Sequence, residues 1–316
     1  MTTGARLRIV FFGSGAFGLP TFEALLARHE IVGVVSQPPK RAGRGGVETP
    51  TPIAARALAA GLPLRTPADV NAPEEVAAIR ATPRDAFVVI AFGQKLSPQL
   101  LEGVFAINLH ASLLPAYRGA APINWAMIDG CAETGVSVIA LADRMDAGVV
   151  YARRRTPIDP HETAGELHDR LAALGPEVVL GVLDDYALGR LRPEPQLEGA
   201  VTKARKLSKR DERIDLAEWD APAARARIHG LAPWPGTALL LDGKRVRILR
   251  VRDLPEGPDA SAAPGTILAD GTVRCRRGRL ELLEIQPEGG RPMSLAAFRN
   301  GRRFEPGMRL EPIEQA

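Results

Sequence analysis

The stretch AINLHASLLPAYRGAAPINWA, positions 106–126, sets Asn108, His110 and Ser112 at every second position of an apolar run. Side chains along a strand point alternately to opposite faces. A strand here therefore puts these three on one face and Ile107, Leu109 and Ala111 on the other, as core. An Asn carboxamide offers two N–H donors and does not ionise, whereas a His can donate, accept or carry charge near neutrality. Together they can hold an oxygen that becomes negative when a carbonyl carbon turns tetrahedral. A lone His in an apolar run reads as a satisfied structural residue; the company of Asn108 and Ser112 moves the reading toward chemistry.

Two further stretches could do chemistry. GSGAFG, 13–18, fits the G-x-G-x-x-G pattern after a strand and before a helix, which taken literally binds a dinucleotide. That motif also needs an acidic residue at the end of the next strand to hold the ribose hydroxyls. The next strand signal, IVGVVS, ends in Ser36-Gln37-Pro38, so a tight β–α turn is the expectation and a nicotinamide site is not. In ALADRMDAGVV, 140–150, Asp143 and Asp146 lie in a turn punctuated by Gly148. Most such aspartates cap or turn the chain. A buried carboxylate facing an imidazole would instead fix the ring and stabilise its charged form. Asn, His and Asp without a Ser or Cys nucleophile or a metal cluster fit direct acyl or formyl transfer. There one substrate brings the nucleophile, and the enzyme positions, stabilises charge and moves protons.

Those residues need a frame. RLRIVFFG, IVGVVS, DAFVVIAFG and VFAINLH are apolar on both faces and alternate with helical patterns such as AFGLPTFEALLARHE and TPIAARALAAG. That alternation predicts an α/β fold, a doubly wound, mostly parallel sheet covered on both sides, whose ligands gather at the C-terminal strand ends. HETAGELHDRLAALGPEVVLGVLDDYALG, 161–189, predicts a helix pair or a helix broken near Gly175-Pro176. A Pro-containing linker, 190–207, separates this catalytic domain, 1–189, from a second domain, 208–316. There the short runs GTALLL, KRVRILRVR, GTILAD, GTVRCRRG and RLELLEIQP predict a small, mainly β barrel.

The net charge of +4 is unevenly placed. From Ala200 onward about 22 Lys and Arg face about 16 Asp and Glu, an excess that suits either a solvated surface or a polyanion partner. Two distant cysteines, Cys131 and Cys275, give neither a disulfide framework nor metal-ligand spacing. No metal is expected. No apolar run approaches the roughly 20 residues of a membrane span and no secretory segment opens the chain, so a cytoplasmic protein is expected.

INLHASLLPAYRGAAPI strongly resembles the signature of the formyltetrahydrofolate-dependent formyltransferases, and FFGSGAFGLPTFEALL matches that family's opening turn. The resemblance implies a Rossmann-like formyltransferase domain with Asn108, His110 and Asp146 as its catalytic trio. It also implies a folate-binding segment at Ser112, Leu113, Leu114 and Pro115, with 10-formyltetrahydrofolate as formyl donor. QPPKRAGRGGVETPTPIAARA, 37–57, is similar to an inserted loop in the members that formylate initiator methionyl-tRNA, which makes Arg44 a residue for the acceptor end. TKARKLSKRDERIDL, 202–216, is similar to their link into an OB-like barrel, which makes Lys203, Arg205, Lys206 and Lys209 tRNA-binding residues. HGLAPWPGTALL, APGTIL and FEPGMRL resemble the barrel itself. The chain departs at Gly46-Val47-Glu48, where members often carry Lys, and at Val149, where many carry a second Asp.

The resulting expectation is a monomer that moves a formyl group to the α-amine of methionine on initiator tRNA. Two other readings stay open at this point. A formyltransferase for an amino sugar nucleotide would keep the trio but has no need of the basic tail. A non-catalytic RNA- or dinucleotide-binding protein would bind without turnover.

Overall fold

A computed structural model describes residues 5–42, 46–257 and 260–313. The chain divides into two compact units. One comprises residues 1–119, 135–156 and 168–203; the other comprises 120–134, 157–167 and 204–316.

In chain order the first part carries β1 (Arg8–Gly13), α1 (Leu19–Arg28), β2 (Glu30–Val35), a short hairpin of β3 (Lys40–Ala42) and β4 (Val47–Thr49), and α2 (Pro52–Ala59). There follow β5 (Leu64–Arg65), α3 (Pro73–Ala81), β6 (Ala86–Ile90), α4 (Pro98–Leu101), β7 (Phe105–His110) and β8 (Arg118–Gly119). Then come α5 (Pro122–Ile128), β9 (Glu133–Ala140), β10 (Val150–Pro157), α6 (Ala164–Ala187) and β11 (Lys203–Ala204). The main sheet has the order β10-β9-β7-β6-β1-β2-β5. β7, β6, β1, β2 and β5 run parallel, and β9 pairs antiparallel with β7. The order reverses between β1 and β6, so the chain leaves those two strands in opposite directions, and a crevice opens at their C-terminal ends. All five residues of β6 are buried, as a central strand covered on both faces requires. Phe12 of β1 meets Phe87 and Phe92 edge to face with centroids 5.0 and 5.6 Å apart. α2 begins where the Thr51 side chain accepts the Ala54 N–H at 3.1 Å, with Pro52 in the first turn.

Three sequence expectations are corrected here. The row Asn108, His110, Ser112 is not all strand: β7 ends at His110, and Ser112 lies in the bend that begins at Ala111. The helix expected to break at Gly175-Pro176 runs without interruption from Ala164 to Ala187. A proline inside a helix costs about 3 kcal/mol, but Leu167, Leu171, Val179 and Leu183 along α6 are all fully buried and hold it straight through. Gly175 is there for contact, since a Cβ on it would lie 2.5 Å from Thr21 Oγ1 and 2.7 Å from Leu109 Cδ2. The run GTILAD forms no extended strand; only Thr266 and Ile267 make isolated bridges, to Arg309 and Val273.

The second part carries α7 (Ala221–Leu231), β12 (Thr237–Leu241), β13 (Lys244–Leu254), β14 (Val273–Arg274), β15 (Arg279–Pro287), β16 (Met293–Ser294), α8 (Leu295–Arg299) and β17 (Leu310–Pro312). Its antiparallel sheet has the order β14-β15-β13-β12-β17, and the bridges at Thr266 and Ile267 link β17 toward β14, nearly closing a barrel. Closure removes free strand edges. The barrel interior holds Leu239, Val246, Ile248, Val251, Leu282 and Ile285, with Ala221, Ala224 and Ile228 of α7 in the same core. Neither α7 nor α8 was expected from sequence: the alanine–arginine pattern of α7 has little apolar periodicity of its own, and the helix is set by what it covers.

α7 carries a buried imidazole. His229 faces the Pro160 carbonyl through Nδ1 at 3.2 Å and accepts the Val251 N–H at Nε2 at 3.1 Å. A carbonyl only accepts and an amide only donates, so the ring is neutral with its proton on Nδ1. Burial, with the Arg225 charge adding to it, pushes this imidazole down to about 4.

Two outcomes follow for stability. Gly175→Ala should lower the urea midpoint, because overpacking of about 1–3 kcal/mol exceeds the gain in helix propensity of about 1 kcal/mol. The His229 contribution is intact above its ordinary value of 6.5 and is lost as pH falls from there through about 4, because the unfolded chain takes the proton first. Urea midpoints measured against pH should therefore fall across that window in the wild type and fall less in His229→Gln.

Candidate active site

The site is built where β7 ends, within the first unit. Asn108 pairs across the sheet with Val89 of β6 and Ile139 of β9, and its half-buried carboxamide makes no hydrogen bond with any described residue. His110 is 7% exposed. Its Nε2 lies 2.9 Å from the Tyr117 carbonyl, and its Nδ1 lies 3.6 Å from Asp146 Oδ1. The carbonyl can only accept, so Nε2 carries a proton, and Nδ1 is left facing the carboxylate.

Asp146 comes from the turn between β9 and β10 and is held from several sides. Its Oδ2 accepts the Gly119 N–H at 2.8 Å. Its backbone is left-handed, with φ +55°, a conformation that favours glycine and that Asp tolerates better than most side chains. Gln196 donates through Nε2 to the carbonyls of both Asp146 and Gly148, each at 2.7 Å. Arg118, itself 7% exposed, donates Nε–H to Gln196 Oε1 at 3.0 Å and Nη2–H to Glu198 Oε1 at 3.1 Å. Gly148 is the close-approach point of this turn, since a Cβ there would lie 1.8 Å from the Ala140 carbonyl oxygen. Asp143, the other candidate in the turn, is exposed, and it is Asp146 that forms the ion pair with His110.

The segment after His110 is fixed by its own hydroxyls. Ser112 is fully buried and donates to the Ala116 carbonyl at 2.6 Å. Ser137 of β9 donates to the Ser112 carbonyl at 2.7 Å and accepts the Leu114 N–H at 3.1 Å. Leu114 is buried with Ile139 and Val150. Of the four residues Ser112, Leu113, Leu114 and Pro115, only Leu113 and Pro115 keep partly exposed side chains. Tyr117, with φ +60°, turns the chain so that its carbonyl meets the imidazole.

GSGAFG has become a tight turn. The Ser14 and Gly15 N–H groups both point to the Ala91 carbonyl, at 3.2 and 3.3 Å. Those amides, which a pyrophosphate would need, are engaged by protein. A Cβ at Gly13 would lie 2.5 Å from a Phe11 ring carbon and 2.9 Å from the Ile90 carbonyl oxygen, so this glycine permits close passage of β1 by β6. At the end of β2, Ser36 bonds the Thr51 hydroxyl at 2.5 Å, where a dinucleotide site would place a carboxylate.

The basic residues divide into engaged and free. Arg44 lies outside the described residues. Arg205 stacks its guanidinium 4.6 Å from the Trp125 ring centroid and pairs with Asp211 through both terminal nitrogens. Those bonds from Arg205, reinforced by the Ser208 amide and hydroxyl, bring the Asp211 carboxyl down to about 2. Lys203, Lys206 and Lys209 are exposed and make no ion pair with a described residue. Among the described residues no group of three or more His, Cys, Asp or Glu could hold a metal ion, and no helix is long and apolar enough to cross a membrane.

A family model described as formyl transferase matches residues 7–183, and one for the formyl transferase C-terminal domain matches residues 206–303. The chain belongs to the formyl transferase family. It is 42% identical over 307 residues to a methionyl-tRNA formyltransferase of Cereibacter sphaeroides, covering 96% of this chain and 99% of that one. It is 39% identical over 312 residues to one of Sorangium cellulosum, with the same coverage of 96% and 99%. Among solved structures, the fold matches HypX from Aquifex aeolicus, a structure described in complex with tetrahydrofolic acid, at a TM-score of 0.64 and 18% identity. That match covers 93% of this chain and 47% of HypX, so the chain spans about half of that protein. An N-formyltransferase from Helicobacter canadensis, in complex with folinic acid and dTDP-3-aminofucose, matches at a TM-score of 0.67 and 12% identity, over 87% of this chain and 98% of that one. The matched span of residues 7–183 includes the glycine-rich turn at 13–18.

The sequence reading missed Arg118, Gln196 and Glu198. Gln196 and Glu198 stand in a stretch without periodicity that reads as linker, and they follow Pro193-Glu194-Pro195 with no spacing that marks them. In this formyl transferase Gln196→Ala should free the Asp146 and Gly148 carbonyls. Hydrogen exchange of amides 143–149 and of Gly119 should then speed up, while the amides of β6 and β1 keep wild-type protection.

Proposed function

We propose that this formyl transferase moves the formyl group of 10-formyltetrahydrofolate to the α-amine of methionine esterified to initiator tRNA. The observation that carries the chemistry is the Asn108 carboxamide, free of described partners beside a His110–Asp146 pair, at the strand ends where an α/β sheet binds ligands. The full-length similarity to methionyl-tRNA formyltransferases supports the choice of acceptor.

In the reaction the amine nitrogen attacks the formyl carbon. A C–N bond forms, the bond from that carbon to the folate nitrogen breaks, and the proton lost by the amine ends on the folate nitrogen. Asn108 donates to the oxygen that becomes negative in between. His110 is the second donor, and the bond it would exchange for the substrate oxygen is the one to the Tyr117 carbonyl. Asp146 keeps the imidazole oriented and helps pass the proton through water. The folate lies along Ser112–Pro115, where Leu113 and Pro115 offer partly exposed apolar surface. Arg44, Lys203, Lys206 and Lys209 meet tRNA phosphates, and Arg205, tied to Asp211, contributes less. The domain boundaries at 189 and 207, a monomeric state and a cytoplasmic location belong to the same proposal.

The test is transfer from 10-formyltetrahydrofolate to methionyl initiator tRNA, with methionyl elongator tRNA, free methionine and an amino sugar nucleotide alongside. Selective product on the charged initiator is expected. Asn108→Ala should lower kcat by about 10²–10³-fold, and Asp146→Asn should lower it while keeping the shape of the turn. Wild-type turnover in Asn108→Ala would overturn the residue roles, and product on the sugar alone would overturn the acceptor.

A further inference from the structure

The barrel unit has a cleft of about 250 Å³ that the trio does not touch, lined by Lys209, Trp234, Arg245, Arg247, Gln286 and Glu288. Trp234 is 56% exposed. An indole is normally placed to bury its large apolar face, and this one is held outward by construction. It stands between Pro233 and Pro235, and Arg247 donates Nη2–H to both of their carbonyls, at 2.6 and 3.3 Å. Arg247 in turn gives Nη1–H to Gln286 Oε1 at 2.9 Å, and Gln286 donates to the Gly290 carbonyl at 2.9 Å. The backbone on both sides of the ring is held, so a partner stacking on the indole does not have to order the loop first.

Two cations stand beside the indole. Lys209 makes no hydrogen bond or ion pair with a described residue. Arg245 gives Nη2–H to Glu212 at 2.5 Å, but its Nε is buried without a partner. The Arg245 side chain is 29% exposed and lines the cleft, so its guanidinium places positive charge beside the indole. Glu288 adds one carboxylate acceptor on the same wall.

We propose that this cleft seats one unpaired nucleotide of the RNA substrate, its base stacked on Trp234 and its phosphate near Lys209 and Arg245. This rests on the reading of the protein as a tRNA formyltransferase. An aromatic plate beside cations is what single-stranded nucleic acid requires, because every base has a π face and every link a phosphate. An acidic peptide would use the cations and leave the plate bare. The volume lies below the roughly 300–1,000 Å³ of a drug-sized site, which leaves room for a single base and excludes a duplex. Glu288 suits the exocyclic amine of a base and is poorly placed for a second phosphate.

The test is fluorescence anisotropy of the full-length protein with a labelled single-stranded oligoribonucleotide and with the same sequence as a duplex. Formylation of methionyl-tRNA is assayed in parallel. Trp234→Ala should weaken single-strand binding about tenfold or more, leave duplex binding unchanged, and raise KM for tRNA without changing kcat. Trp234→Phe should restore most of the loss, which a merely structural role for the loop would not predict. Lys209→Ala should weaken binding and lower the salt slope by about one. Wild-type single-strand affinity in Trp234→Ala, or an equal loss on single strand and duplex, overturns the cleft even if formylation proceeds. Single-strand binding that depends on Trp234 in a protein that formylates no tRNA supports the cleft and overturns the acceptor instead.

Discussion

The carboxylate of Asp146 is the point on which the candidate site depends. It takes the Gly119 amide on one oxygen and faces the His110 ring with the other, so the loop after β7 and the turn between β9 and β10 share one charge. Neither segment could hold that geometry alone. Asp146 is left-handed and so is Tyr117, and such backbones persist only where neighbouring groups over-determine them. Gln196 supplies that support by donating to two carbonyls of the turn, and Arg118 holds Gln196 in place. A stretch that reads as connection is thereby part of the wall of the site.

The same logic separates two kinds of charge on this basic protein. Arg205, Arg247 and Arg118 are anchored to Asp211, to the carbonyls of Pro233 and Pro235, and to Gln196 with Glu198. Their planar forks suit several fixed acceptors at once. Lys203, Lys206 and Lys209 stay exposed on flexible stems, available to a phosphate. Net charge counts both kinds alike, which is why charge alone leaves the choice of partner open.

The glycine-rich turn is a case where the same residues serve a different purpose. A dinucleotide fold uses glycines so that amides can reach a pyrophosphate. Here the glycines let β1 pass close to β6, and the Ala91 carbonyl collects the two amides. The missing acidic residue after β2 was the readable sign, and Ser36 on Thr51 is what replaces it.

Local periodicity and residue chemistry suffice for the strand–helix alternation, the parallel sheet, the β-rich second part and the placing of Asn108 and His110 on one strand face. The sequence also carried the family signature around position 110. Tertiary structure decided the rest. Whether α6 would break at Pro176 turned on the buried face it shares with α1 and β7, and whether α7 would form turned on the barrel it covers. The meeting of Asp146 with His110 is a contact across 36 positions, made by the antiparallel return of β9 along β7. The grip of Gln196 on Asp146 spans 50. No periodicity records such a contact, since its energy exists only once the sheet has brought the segments together.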